Sequence, residues 1–171
     1  MDTFAHGLWS YIIFSKSKYI WLAILFGILP DLLSWTVYMV YRMFNKIPFG
    51  PPNLNSIPKW VFTLYGITHS IFVIAVVFLI VFLIFKHIPI FLLAWPLHVL
   101  IDIPTHTKDF LPTPFLWPFS SYAFPGISWG TKWFMITNYS LIVFFLIYIN
   151  HQNISLFLSK IKEFIKHLLI K

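Results

Sequence analysis

Long apolar stretches, separated by short polar or proline-rich segments, follow one another along this chain of 171 residues. A helix needs about 20 mainly apolar residues to cross a bilayer. The pattern therefore predicts an all-α, polytopic membrane bundle of about four spans, with an N-terminal half-span and a C-terminal amphipathic helix. The predicted spans are Tyr19–Tyr41, Trp60–Phe85, Ile88–Ile103 and Trp133–Asn150, and the predicted half-span is Phe4–Phe14.

The C-terminal segment has a different pattern from the spans. Its apolar residues recur at helical spacing and lysines lie between them, which is typical of a helix lying in the membrane interface. We therefore divide the chain into a membrane-embedded domain, residues 1–153, and a basic amphipathic interfacial tail, residues 154–171. The alternative for this segment is a plain solubilising end. Its apolar positions are Phe157, Ile161, Phe164, Ile165 and Leu168.

Composition and charge support the membrane assignment. Hydrophobic residues make up 59% of the chain and charged residues 10%, whereas soluble domains carry about 25% charged residues. The net charge is +7, but the lysines lie in short turns and in the tail, so we expect no nucleic-acid partner. Basic residues beside spans favour the cytoplasmic side. We expect an integral protein of the prokaryotic inner membrane with a cytoplasmic tail.

Histidines and aspartates inside the apolar stretches carry the candidate chemistry. His98, Asp102 and His106 are spaced four residues apart, so His98 and Asp102 share one helix face. Ionisable residues within membrane segments are costly and mark functional sites. Counting out from the turns that join antiparallel neighbours brings His6 level with Asp31, and His69 level with the His98–Asp102 pair. We therefore predict one metal centre whose ligands are His6, Asp31, His69, His98 and Asp102.

Each ligand also has a simpler interpretation. His6 or His69 can form a hydrogen bond between helices, and Asp31, which follows Pro30, can cap a broken helix. The chain contains no cysteine, so thiolate ligands are excluded. A set of imidazoles and carboxylates favours Zn²⁺, and Mn²⁺ or Fe²⁺ are also compatible with it.

The order of these motifs also carries a family resemblance. The residues that carry it are His6, Gly27–Asp31, Thr68–Ser70, His98 with Asp102, and Leu116–Ser120. In this order they resemble the YdjM-like family of inner-membrane metal-dependent hydrolases, from His6 to about Trp129. Leu64 and Tyr65 stand where that family commonly has His and Arg, and Leu33 stands where it has a second Asp. The resemblance implies a metal-dependent hydrolase.

These observations lead to a functional expectation. We expect hydrolysis of an amphiphilic phosphoester, such as a phospholipid or an isoprenoid phosphate, by a metal-activated water. His106 or Asp109, at the start of the long loop after the third apolar stretch, is the candidate general acid or base. The expected partners are membrane lipid and the small amphiphilic substrate. Two other classes stay open: a protein that binds or transports metal ions, and a non-catalytic membrane scaffold.

Overall fold

Helices form the framework of this protein. The computed structural model describes residues 1–48, 56–109 and 111–169, with only the backbone of residues 152–154, 157–158 and 162–169. The predicted all-α class is confirmed. The α-helices are α1 (Thr3–Ile13), α2 (Ile20–Asp31), α3 (Val37–Phe44), α4 (Lys59–His69), α5 (Ile71–Phe85), α6 (Ala94–Thr105) and α7 (Lys132–Leu169).

The number of membrane spans is smaller than the sequence predicts. By length and composition, two described helical stretches can cross a membrane, Ile20–Phe44 and Lys132–His151. A third is possible if α4 and α5, which meet at 53°, form one broken span. The apolar helix Ile90–Thr105, which consists of a 3₁₀ turn and α6, has fewer residues than a bilayer span needs. The described residues thus contain two or three candidate spans, fewer than the predicted number of about four, and the predicted half-span corresponds to α1.

Two helix interruptions shape the interior of the bundle. Pro30 has no N–H to donate within α2, and a π-helical turn, Leu32–Thr36, follows it. The Ser34 hydroxyl donates to the carbonyls of Pro30 at 3.1 Å and Asp31 at 3.3 Å. Such π-helical turns are frequent at functional sites. Asp31 therefore lies where α2 loses its regular hydrogen bonding.

The second interruption lies at Ser70, between α4 and α5. Its backbone is extended (φ −84°, ψ 127°), and its hydroxyl accepts the N–H groups of Phe72 at 3.1 Å and Val73 at 3.3 Å. Ser70 thus ends one helix and caps the next, as N-terminal serines commonly do. This break makes His69 the last residue of α4.

Helix α1 lies between α2 and α7. Its N-terminus is capped by Asp2, whose carboxylate accepts the N–H of Ala5 at 2.9 Å. Gly27 of α2 allows the close approach, because a Cβ at that position would overlap the hydroxyl of Ser10. Ala5 and Ile12 of α1 pack with Ile142 of α7 in a buried cluster. Helix α1, which corresponds to the predicted half-span, therefore packs inside the helical bundle, and His6 is one of its buried residues.

The long loop from His106 to Thr131 folds back over the ends of the helices. The N–H of Ile127 donates to the carbonyl of Pro104 at 2.9 Å, and that of Trp129 donates to Thr105 at 3.0 Å. The loop ring of Trp117 lies against Gly66 of α4, where a Cβ would approach the indole to 2.8 Å. These contacts place the loop beside the C-terminal ends of α4 and α6.

The last helix continues through the predicted domain boundary. Helix α7 runs without interruption from Lys132 to Leu169. Most side chains that give the tail its amphipathic pattern, and the whole of Ile170 and Lys171, lie outside the described residues. The division into residues 1–153 and 154–171 stays a prediction.

Candidate metal centre

Four buried side chains meet where α2, α4 and α6 come together. Each offers one ligand atom, and these atoms all lie within 4.8 Å of one another. They belong to Asp31 at the end of α2, His69 at the end of α4, and His98 and Asp102 one turn apart on α6. These are four of the five residues that the sequence predicts as ligands. The structure thus has a buried group that can hold a metal ion.

Five of the six separations within this group are close to those of a coordination sphere, and all six are at most 4.8 Å. The two Nε2 atoms of His69 and His98 are 3.1 Å apart. Oδ2 of Asp102 lies 3.5 Å from the first and 3.3 Å from the second. Oδ1 of Asp31 lies 3.8 Å from both. In a tetrahedral zinc site with bonds of about 2.0–2.2 Å, neighbouring ligand atoms are about 3.3–3.6 Å apart.

The backbone fixes which nitrogen of each imidazole is free. Nδ1 of His98 lies 2.7 Å from the carbonyl of Gly27, and Nδ1 of His69 lies 3.0 Å from that of Tyr65. A carbonyl only accepts hydrogen bonds, so in both rings Nδ1 carries the proton and donates it. In the neutral rings, the lone pairs of the two Nε2 atoms therefore face each other.

A carboxylate oxygen adds to this concentration of acceptors. Oδ2 of Asp102 is buried and has no hydrogen-bond partner within the described part of the chain. Three acceptor atoms thus converge in an interior where an unsatisfied acceptor is costly. A cation between them would satisfy all three. Histidine ligands that donate their other N–H to a carbonyl are also typical of metal sites. The residues therefore fit a divalent ion with two nitrogen and two oxygen ligands, and zinc suits this set.

His6 lies beside this group and touches its edge. Its Nε2 lies 2.8 Å from Oδ1 of Asp102, whereas His69 and His98 approach the other oxygen, Oδ2. Its ring stacks on His98 with centroids 3.6 Å apart. The amino group of Met1 forms an ion pair with the same oxygen. The structure thus places His6 as a hydrogen-bond partner of Asp102, outside the group of four.

His106 lies at the open edge of the site. It follows the last residue of α6 with extended backbone (φ −113°, ψ 149°), and its Nδ1 is 3.9 Å from Oδ2 of Asp102. The same nitrogen lies 2.9 Å from the hydroxyl of Thr113 and 3.2 Å from that of Tyr65. Burial is the main cause that lowers the pKa of His106 to about 3, so its ring is neutral. Asp109, by contrast, is exposed in the following turn.

Two cavities border the site. One of about 200 Å³ is lined by Asp31 and His106, among others. A second of about 380 Å³ lies between α4 and the long loop and is lined by Tyr65 and Trp117. Leu111 lines both. The group of four therefore borders open space on the side of Asp31 and His106.

Several residues around the site are absent from the sequence-based prediction. Tyr65 lies one turn before His69 on α4, so helical spacing contains a signal for it. The Thr3 hydroxyl donates to Oδ2 of Asp31 at 2.7 Å, and Thr3 precedes His6 by nearly one turn. Thr113 is in the irregular loop, where no periodicity marks it.

No family model, curated protein or solved structure was found to match this chain. The resemblance to the YdjM-like family therefore stays a prediction that depends on the motifs themselves.

Proposed function

We propose that this protein is a membrane-embedded, metal-dependent hydrolase that acts on the phosphoester of an amphiphile. The observation that carries the proposal is the pair of Nε2 atoms of His69 and His98, which lie 3.1 Å apart and 3.5 and 3.3 Å from Oδ2 of Asp102. That oxygen accepts no hydrogen bond within the described residues. Zinc is the ion that we expect. The prokaryotic inner membrane is the location that we expect, and two or three helices able to span a membrane support it.

The surroundings of Asp31 favour a catalytic site over a closed structural one. Its oxygen lies 3.8 Å from both Nε2 atoms, further than Asp102 does. It also lines the 200 Å³ cavity, so this side of the coordination sphere is accessible. Catalytic zinc sites keep a position open for water or substrate, and zinc can take a fifth ligand, so four protein ligands are compatible with an open position on the side of Asp31. We infer that water and substrate reach the ion from this cavity.

His106 is the residue that we assign to proton transfer. A bound divalent ion would supply a water of lowered pKa and polarise the phosphoester. The neutral ring of His106 lines the same cavity, and Thr113 and Tyr65 hold its orientation. A positioned proton-transfer residue contributes about 10²–10⁴-fold in rate when its pKa lies near the working pH, so in the loaded site the pKa of His106 must lie above the value of about 3 that burial gives it. Asp109, the other candidate from the sequence, is exposed and does not belong to the group of four.

The test compares metal content and turnover in the same preparations. Detergent-purified protein is loaded with zinc, and hydrolysis of bis(4-nitrophenyl) phosphate and of phosphatidylglycerol vesicles is measured. We expect one tightly held zinc and turnover in the wild type, and neither in His98→Ala. His87→Ala is the matched control, since His87 is exposed in the turn after α5. Tight zinc without turnover of either phosphoester would contradict the hydrolase and favour a metal-binding or transport protein.

A further inference from the structure

An apolar groove runs along the seam between α1 and α2 and is closed on one side by α7. Its volume is about 650 Å³. Apart from the hydroxyls of two residues at its ends, its lining consists of apolar side chains and a glycine. The lining residues are Thr3, Phe4, Gly7, Leu8, Tyr11, Trp21, Ile24, Ile28 and Leu146.

The groove leads to the metal centre. Helices α1 and α2 are antiparallel, so Thr3 lies beside the end of α2 and Tyr11 beside its beginning. Along α1 this distance is about 12 Å, at about 1.5 Å per residue. The Thr3 side chain lines the groove, donates to Oδ2 of Asp31 at 2.7 Å and also lines the 200 Å³ cavity. The apolar groove and the polar cavity therefore meet at Thr3.

A glycine keeps the groove open along its length. Gly7 faces Ile28 across the seam, and a Cβ at Gly7 would lie only 3.1 Å from the Cγ2 atom of Ile28. A larger residue would narrow the groove between its two ends. Phe4 and Trp21 border it with exposed rings, 69% and 77% accessible.

The apolar length of the groove and the polar cavity at its Thr3 end define which molecule can occupy it. We propose that the groove holds the hydrocarbon chain of the substrate, an alkyl or prenyl phosphoester, with its phosphate in the cavity between Asp31 and His106. This inference rests on the proposed hydrolase function. The groove borders both described stretches that can cross a membrane, Ile20–Phe44 and Lys132–His151, so a membrane lipid reaches it from the bilayer. Burial of each methylene group tightens binding about four-fold, which makes the chain a main source of affinity.

A substitution that blocks the groove tests binding of the hydrocarbon chain separately from binding of the phosphate. Ile24→Trp fills it, because Ile24 is half-buried in its wall. Leu25→Trp is the matched control, since Leu25 is the next residue of the same helix, is 43% exposed and does not line the groove. The zinc-loaded proteins are tested on dodecyl and butyl 4-nitrophenyl phosphate, which share the phosphate and the leaving group.

We expect Ile24→Trp to raise KM for the dodecyl ester about ten-fold or more, the effect of excluding as few as two methylenes. Its loss of kcat/KM should be clearly smaller for the butyl ester, whose chain fills less of the groove, and Leu25→Trp should leave both esters unchanged. An equal loss on both esters, or no loss on the dodecyl ester, would overturn the proposal.

A binding measurement keeps this proposal separate from the hydrolase itself. Dodecyl phosphate with a diazirine at the end of its chain is irradiated with the zinc-loaded protein, and the labelled peptides are mapped. We expect label on α1 and on the first half of α2 in the wild type, and its loss in Ile24→Trp. This labelling without turnover of either ester would support the groove and contradict the hydrolase. Turnover with label confined to other helices, such as α5, would contradict the groove alone.

Discussion

Replacement of Asp102 by asparagine tests whether the group of four is a metal site. The change keeps the shape of the side chain, and its remaining oxygen can still accept from Nε2 of His6 at 2.8 Å. The new amide group would stand where Oδ2 lies 3.3 Å from His98 and 3.5 Å from His69. Its N–H groups can donate to the free lone pairs. In the variant, the amide therefore satisfies these acceptors without a metal. In the wild type, the same acceptors require a cation.

The size of the effect follows from linkage between binding and stability. An ion that binds only the folded state stabilises it by about 2.7 kcal/mol at a free concentration of one hundred times Kd. Changes in outer residues already weaken metal binding by about 10–100-fold, and loss of a charged ligand should do at least as much. With Kd one hundred-fold higher, the same zinc concentration stabilises the variant by only about 0.4 kcal/mol. Most of the zinc-dependent stabilisation should therefore disappear.

The assay is thermal unfolding in detergent, with zinc at a fixed free concentration and with chelator. Asp109→Asn is the matched control, because it makes the same chemical change at an exposed residue. We expect the zinc-dependent rise in Tm to be the same in wild type and Asp109→Asn and nearly absent in Asp102→Asn. A rise in Asp102→Asn equal to that of the wild type would refute the assignment of Asp102 as a ligand.

Three further predictions follow from the same geometry. Thr3→Val removes the hydroxyl that donates to Asp31 at 2.7 Å, so zinc affinity measured by competition with a chelator should fall about 10–100-fold; an unchanged Kd would show that Asp31 needs no such support. His106→Ala should keep zinc and lose about 10²–10⁴-fold in kcat, whereas His98→Ala should lose both; equal loss of zinc would make His106 a ligand. A reporter fused after Lys171 should be active only in its cytoplasmic form, and labelling of the tail by an impermeant reagent on intact cells would show the opposite topology.

The sequence predicts the helices of this fold well because their apolar periodicity is local information. Trp133–Asn150 lies within the stretch Lys132–His151, which is able to cross a membrane, and Tyr19–Tyr41 begins one residue before the other such stretch, Ile20–Phe44. The number of spans is less predictable because helix breaks depend on single residues. Trp60–Phe85 reads as one apolar run, yet Ser70 divides it by capping α5 with its hydroxyl. A polar residue in such a run is compatible with either a straight or a broken helix until its partners are known.

The candidate ligands were partly predictable for a similar reason. His98 and Asp102 share a helix face by spacing alone, and matching of antiparallel segments brings Asp31 and His69 near them. Counting residues fixes the depth of a side chain but not its direction around the helix axis. His6 has the expected depth, yet its ring stacks on His98 and contacts the outer oxygen of Asp102. The distinction between a ligand and its neighbour therefore required the structure.

The helix interruptions explain how the site is oriented as well as where it lies. Pro30 leaves α2 without one of its N–H donors, and in the same turn the carbonyl of Gly27 accepts from Nδ1 of His98. The break at Ser70 ends α4 at His69, whose ring folds back to the carbonyl of Tyr65. Both carbonyls hold the imidazoles in the tautomer that turns Nε2 inward. A carbonyl oxygen has two lone pairs, so one that serves its own helix can also accept from an imidazole. Both carbonyls lie about one helical turn before a break, so the breaks and the two oriented histidines lie together.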